Sequence, residues 1–348
     1  YRGGEAWRIL RELAVPHRGH MPPLRGARVT RDDEPIRIIG AAMTSLVSKL
    51  VTASPASWAG RSAEAWAESL GGSREVGDLA RTFSRVSTYV GDLEALPADL
   101  AISQLKMALF RNVSYLDGGW ASLVEGLSSA AKAAGATIRP HQSATAMSAT
   151  PGGWEVALAG GDVLVASAVV IASGGPAAAR KLLPGDPGWP ELGPAVTAAC
   201  LDLGLEGRQP ALMFGVDEPL YLSRHCPPGD LAPSGGSLVH VLRYGAREAA
   251  LDRAELRRYA GLAGITDDQI VEERFLADMV VTHVLPSLER SLAGRPDVTS
   301  SGAEGVYLAG DWVGPTGWLT DAAMSSGRRA GRLASGHSAA EHTSPRVA

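Results

Sequence analysis

The stretch GVYLAGDWVGPTGWLTDAAMSSGRRAG, residues 305–331, constrains the fold more than any other part of the chain. Val306, Tyr307, Leu308 and Ala309 form an unbroken apolar run, the pattern of a central strand buried on both faces. Gly310 has no side chain, so a ligand can lie against its backbone. Asp311 falls just past the strand's carboxyl end, where open α/β sheets place ligands. A turn containing Gly and Trp follows, and Thr320 is predicted to cap a helix from Asp321 to about Leu333. That helix start presents free N–H groups and partial positive charge to an electron-rich ligand edge, with Asp321 as an opposing charge. Ala322, Ser326, Gly327 and Ala330 keep the helix thin enough for close packing. By spacing alone, an ordinary strand–loop–helix with an Asp in its turn explains the pattern equally well.

The rest of the sequence sets bounds. A chain of 348 residues with 45% apolar residues can build one large domain or two intertwined ones. A net charge of −4 without a clustered basic face argues against a nucleic-acid partner. No window of ~18 apolar residues predicts a spanning helix. The chain opens at Tyr1, so its start is expected to lie downstream of the gene's own, and no secretory signal is expected. Cys200 and Cys226 lie far apart without metal-ligand spacing, so a reduced cytoplasmic setting is expected and no metal site.

Element by element, residues 1–15 read as a loop and an amphipathic helix with Trp7, Leu10 and Ala14 on one face. Residues 24–39 carry two short strands around the turn RDDE. Residues 40–113 are helical, broken at Pro55 and Gly71-Gly72. At 115 the texture changes to turn, helix (stripe Leu123, Leu127, Ala131), a stop at Gly135 and a strand. Strands follow in SATAMSAT, GWEVALA and DVLVASAVVIAS, then a helix at 176–183. Further strands are expected at 195–205, 211–216, 219–225 and 236–245. Helices are expected at 252–262 and 266–274, with a third from about 280 to Pro286. Residues 336–348 are small and polar and are expected to be a disordered tail.

GVYLAGDW followed by GWLTDAAMSSGRRAG resembles the carboxyl-terminal flavin motif of the phytoene desaturase/flavin monoamine oxidase superfamily, most closely its bacterial phytoene-dehydrogenase-like members. YLDGGWASLVEGLSSAAKAAGATI and VVIASGGPAAARKLL resemble further segments of that family's cofactor domain. The helical run at 56–113 and the strands at 212–244 resemble its substrate lobe. The resemblance implies an α/β fold, α+β overall. A Rossmann-like FAD domain would comprise 1–23, 115–190 and 296–335, with a mixed substrate lobe at 24–114 and 191–295. It implies FAD as cofactor and hydride transfer from a C–H or C–N bond, with O₂ or a quinone as final acceptor. Asp311 would hold the ribityl chain. Gly310, Trp312, Gly317, Trp318, Leu319, Thr320 and Ala322 would border the flavin, and Ala172, Ser173 and Gly174 would lie near the dinucleotide.

The sequence departs from the family in lacking the G-x-G-x-x-G loop that cradles the pyrophosphate; SGGP at 173–176 has the wrong spacing. The cofactor domain is therefore expected to be N-terminally incomplete. Two alternatives remain at this level: a redox-neutral FAD isomerase and a cofactor-free binding or scaffold module. His240 and Tyr244 share a strand face, which is either a substrate cavity with Trp318 nearby or ordinary sheet surface and core. His225 and His283 are further acid–base candidates. The expected partner is a small-molecule substrate. The apolar helical lobe permits a lipophilic substrate or peripheral membrane contact, and a homo-oligomer is compatible. Without the phosphate loop, the purified chain is expected to retain little or no flavin. A visible absorption spectrum tests this, and a stoichiometric flavin band would contradict it.

Overall fold

The computed structural model describes residues 1–22, 26–38, 40–207, 209 and 212–343, with side chains described to residue 337. Residues 24, 25 and 39 of the first expected strand pair, residue 211, and residues 344–348 of the expected tail lie outside the described residues.

The chain starts with α1 (Glu5–Glu12), whose buried face is Ala6, Ile9 and Leu10. Trp7 is half-buried and Ala14 exposed, so the stripe is rotated from the expected one. After β1 (Gly19–His20) come β2 (Arg28–Arg31) and β3 (Glu34–Arg37). Asp32 and Asp33 join them, both with positive φ, the conformation of a tight hairpin turn that Asp tolerates. Four helices follow: α2 (Gly40–Thr52), α3 (Ala63–Ser69), α4 (Arg74–Thr88) and α5 (Ala98–Arg111).

Next come β4 (Tyr115–Leu116), paired with β1, and α6 (Gly119–Ala133). β5 (Ala144–Thr150), β6 (Gly153–Leu158) and β7 (Val163–Ala166) form an antiparallel meander, followed by β8 (Val169–Ile171) and α7 (Pro176–Leu182). Four strands follow: β9 (Val196–Glu206), β10 (Leu212–Gly215), β11 (Leu220–Cys226) and β12 (Gly236–Tyr244). Then come α8 (Ala249–Leu262), β13 (Ile270–Thr282), β14 (Val306–Leu308) and α9 (Thr320–Thr343). Among the described residues, no helix is long and apolar enough to cross a membrane.

Two sheets position the site. A seven-stranded sheet runs β13-β9-β12-β11-β10-β2-β3, with β10 and β2 parallel and the other neighbours antiparallel. Side chains alternate across it. Leu201, Leu203, Leu222, Val239 and Val241 pack on Leu256 and Tyr259 of α8. On the other face, Leu212 and Phe214 meet Leu46, Leu50, Trp66 and Ile102 of the helical lobe. The second sheet is the parallel pair β14–β8, with Val306 opposite Val169 and Leu308 opposite Ile171. Its core joins Met147, Ile171 and Trp189 to Val306, Leu308, Trp312 and Ala330.

Three expectations are corrected. Most of the expected helix at 266–274 and the start of the one from 280 belong to one long strand, β13, preceded by a single 3-10 turn at Asp267–Gln269. The helix-favouring charges lose to pairing. β9 is almost wholly buried, and its backbone groups need partners on both sides. β13 supplies them through three register shifts, while its charges find water or ion pairs at the sheet edge. Residues 136–140 after Gly135 are exposed and are not a strand, because no neighbouring strand pairs with them among the described residues. α9 runs past Leu333 to Thr343 and so takes in residues 336–343 of the expected tail. Thr320 is its first residue rather than its cap.

Leu201 is fully buried between β12, β13 and α8. Leu201→Ala is expected to lower unfolding free energy by about 2–5 kcal/mol, measured by urea denaturation.

Candidate functional site

β8 and β14 run in parallel, so both carboxyl ends open on the same side. β14 delivers Gly310 and Asp311; β8 delivers Ala172, Ser173 and Gly174, all exposed. Trp312 braces the two ends: its indole N–H donates to the Gly174 carbonyl at 2.7 Å, and its ring meets Trp189 edge-on at 5.1 Å. Trp312 is fully buried and is a structural brace under the site. It also explains Gly310, because a Cβ there would stand 2.7 Å from the indole nitrogen. The Gly310 N–H donates to Ser326 Oγ at 3.0 Å, which fastens α9 to the end of β14.

Asp311 is held by a residue far away in sequence. Its carboxylate accepts the His283 backbone N–H at 3.2 Å and contacts His283 Nδ1 at 2.9 and 3.1 Å. The His283 ring packs so closely on Gly175 that a Cβ would lie 2.6 Å from it. Thus His283, one of several sequence candidates, ties the end of β13 to both strand ends.

A second charge, which sequence reasoning missed, packs against the turn before α9 from the loop ahead of β14. Arg295 is 6% exposed. Its Nη1 donates to the Gly317 carbonyl at 3.1 Å, and its guanidinium lies 5.1 Å from the Trp318 ring centroid. Nε and Nη2 have no hydrogen-bond partner among the described residues. Burial pushes its pKa down to about 10, with the Asp311 charge opposing that shift. A buried guanidinium with two unsatisfied donors is costly unless something electron-rich accepts from it. No motif marks Arg295; only its packing on Trp318 reveals it.

Trp318 is buried, and its indole N–H donates to the Thr88 carbonyl at 3.0 Å, anchoring the turn to α4. Gly317 and Leu319 both have positive φ, +80° and +54°. For Leu319 this is strained backbone of the kind that collects at functional sites. Thr320 and Ala322 open α9. Asp321, expected to oppose the helix start, instead accepts the Ala6 N–H at 2.8 Å and so caps α1. Arg328 on the same helix pairs with Glu5 and Glu12 of α1.

His240 and Tyr244 do share a face of β12, but in different settings. Tyr244 is buried, meets Tyr89 edge-on at 6.0 Å, and leaves its hydroxyl without a partner among the described residues. Burial raises its pKa well above the ordinary phenol value, so it stays protonated. Tyr221 belongs to the same patch, and its hydroxyl is 3.4 Å from that of Tyr115. His240 lies further along β12 and hydrogen-bonds Asp202 on β9. The sequence spacing hid this contact, because the two residues are 38 positions apart. Cys200 also reaches Asp202, with its thiol 3.3 Å from the carboxylate.

The comparisons with known proteins bear on this arrangement. No family model matches the sequence, and no curated protein matches it. Solved structures do. An oxidoreductase from Methanosarcina mazei superposes with a TM-score of 0.72 at 13% identity, covering 94% of this chain and 85% of that one. Putrescine oxidase bound to putrescine gives 0.66 at 14%, covering 95% and 85%. Cyclohexylamine oxidase from Brevibacterium oxydans gives 0.58 at 12%, covering 97% and 85%. The chain has their fold. The mixed α/β architecture expected from sequence is thereby shown, and at these identities the likeness is one of fold alone.

His225 generates a pH prediction. It stacks on Tyr115 at 3.9 Å, meets His240 edge-on at 4.3 Å, and bonds Ser223 Oγ at 2.9 Å. Burial, then the neighbouring His240 imidazole, push its pKa down to about 3 from 6.5, against the pull of Asp202. The unfolded chain takes up a proton below 6.5 that the folded chain refuses until about 3. Stability therefore falls as pH drops through that window. Replacing His225 with Phe should reduce the loss between pH ~7 and pH ~5 by about 1–2 kcal/mol, measured by urea unfolding at both pH values.

Proposed function

We propose that this protein is an FAD-dependent oxidoreductase that takes a hydride from a small organic substrate. The observation that carries the proposal is Arg295: a buried cation with two free donors, beside the left-handed turn at 317–319 and within electrostatic reach of Asp311. The flavin pyrimidine edge is electron-rich and gains negative charge on reduction, which suits those donors. The residues present fit that group. Asp311 uses part of its acceptor capacity on His283 and keeps lone pairs for ribityl hydroxyls. The exposed 172–174 turn would lie near the dinucleotide, and Gly317 to Ala322 would border the pyrimidine edge.

FAD, when bound, supplies the hydride acceptor. Arg295 would stabilise negative charge at the pyrimidine edge, and Asp311 would orient the ribityl chain. The face carrying Tyr89, Tyr221 and Tyr244 would form an apolar wall that positions substrate and excludes water. Their hydroxyls, held protonated by burial, can donate hydrogen bonds but not accept a proton as bases. The names of the structural neighbours, putrescine oxidase and cyclohexylamine oxidase, favour a C–N bond as the site of oxidation. A lipophilic C–H substrate of the phytoene-dehydrogenase-like kind is the finer alternative. The division into a cofactor domain (1–23, 115–190, 296–335) and a substrate lobe (24–114, 191–295) is part of this proposal.

Titration with excess FAD, read by quenching of flavin fluorescence, tests the assignment. Binding is expected to weaken at least ~10-fold in Arg295→Met and in Asp311→Asn, about 1.4 kcal/mol each. Anaerobic addition of amines to the FAD-loaded chain should then bleach the flavin band. Equal quenching by both variants and the native chain would sink the proposal.

A further inference from the structure

Cys200 and Asp202 lie two residues apart on β9 and project from the same sheet face. His240 stands directly opposite Asp202 in the antiparallel register of β12. Their donor atoms converge: Sγ, a carboxylate oxygen and an imidazole nitrogen all lie within 4.8 Å of one another. We propose that Cys200, Asp202 and His240 form a binding site for a divalent transition-metal ion of the zinc class.

The donor set is a thiolate, an imidazole and a carboxylate, the three ligand types zinc uses. The soft sulfur disfavours magnesium and calcium. A tetrahedral centre with bonds of about 2.0–2.3 Å sets its donors about 3.3–3.8 Å apart, within the observed spread. Charge also balances, since one thiolate and one carboxylate neutralise a divalent ion. The side chains of His240 and Asp202 remain 28% and 21% exposed, which leaves an entry path and room for a fourth ligand from solvent.

Without metal the cluster is held together by protons. The Cys200 thiol donates to Asp202, and burial keeps that thiol protonated. On binding, the S–H bond breaks, the S–metal bond forms, and the proton leaves to solvent. His240 moves its ring proton to Nε2, so that Nδ1 can coordinate. The surroundings are His225, neutral and edge-on to His240, and Arg274, which stands opposite Asp202 in the register of β13. The Arg274 charge reaches both Cys200 and Asp202, but its side chain is exposed and can turn to water. The site lies four residues from Tyr244 along β12, about 13 Å, and does not rest on the flavin assignment.

Cobalt(II) is the probe. Tag-free, chelator-treated chain is titrated with Co²⁺. The expected result is one equivalent bound per chain, with a sulfur-to-cobalt charge-transfer band, tetrahedral visible bands, release of one proton, and displacement by Zn²⁺. Cys200→Ser should abolish the charge-transfer band. His240→Gln and Asp202→Asn should weaken binding at least ~10-fold. Cys226→Ser, which changes the other buried cysteine, should leave the spectrum unchanged. Absence of the charge-transfer band in the native chain at saturating Co²⁺ overturns the proposal, whatever the variants do. So does a band that survives Cys200→Ser or disappears in Cys226→Ser. Should a variant unfold by circular dichroism, the native chain's zinc-induced rise in Tm decides, and no rise counts against the site.

Discussion

The hydrogen bond from the buried Trp312 indole to the Gly174 carbonyl is the contact on which the candidate cofactor site depends. It joins the carboxyl ends of two parallel strands through residues 138 positions apart in sequence. Its geometry leaves no room for a side chain at Gly310, and its ring anchors the core of Ile171, Trp189, Val306 and Leu308. A parallel pair this short gains little from its own ladder. The buried indole N–H has to find an acceptor, and in finding one it fixes where the two loops emerge.

Charges are distributed around that brace by the same rule. The motif carries two carboxylates, Asp311 and Asp321, and they turn opposite ways. Asp311 faces the strand ends and takes both nitrogens offered by His283. Asp321 faces away and caps α1, where it satisfies the Ala6 N–H and favours the positive helix end. The start of α9 is thereby relieved of a negative charge that would repel an electron-rich ligand. Arg295, beneath Trp318, is the one charge of this group left with unused donors, and it is there that the structure asks for a partner.

How much was legible in the sequence depended on how local the deciding interaction was. The hairpin at Asp32-Asp33, the meander of β5 to β7 and the strand–turn–helix at 305–331 follow from turn chemistry and hydrophobic period. β13 did not, because its charged, helix-favouring residues are held extended by the demand of the buried β9 for a second neighbour. The segment after Gly135 failed in the opposite sense: it has strand-like residues but, among the described residues, no neighbouring strand to pair with. Trp312 and Trp318 carry the expectation of bordering the flavin. Their indole N–H groups show that both are anchors, one to Gly174 and the other to Thr88.

The sequence by itself determined the alternation of elements, the buried strand ending in Gly310-Asp311 and the thin helix after it, since these depend on neighbours within one turn or one strand. Only the tertiary structure decided which side chains meet. His283 reaches Asp311 across 28 positions, His240 reaches Asp202 across 38, and Arg295 is buried against Trp318. The physical reason is the same in each case. Hydrogen bonding and desolvation act at a few ångströms between atoms that the chain's path brings together, and linear spacing carries no record of that path.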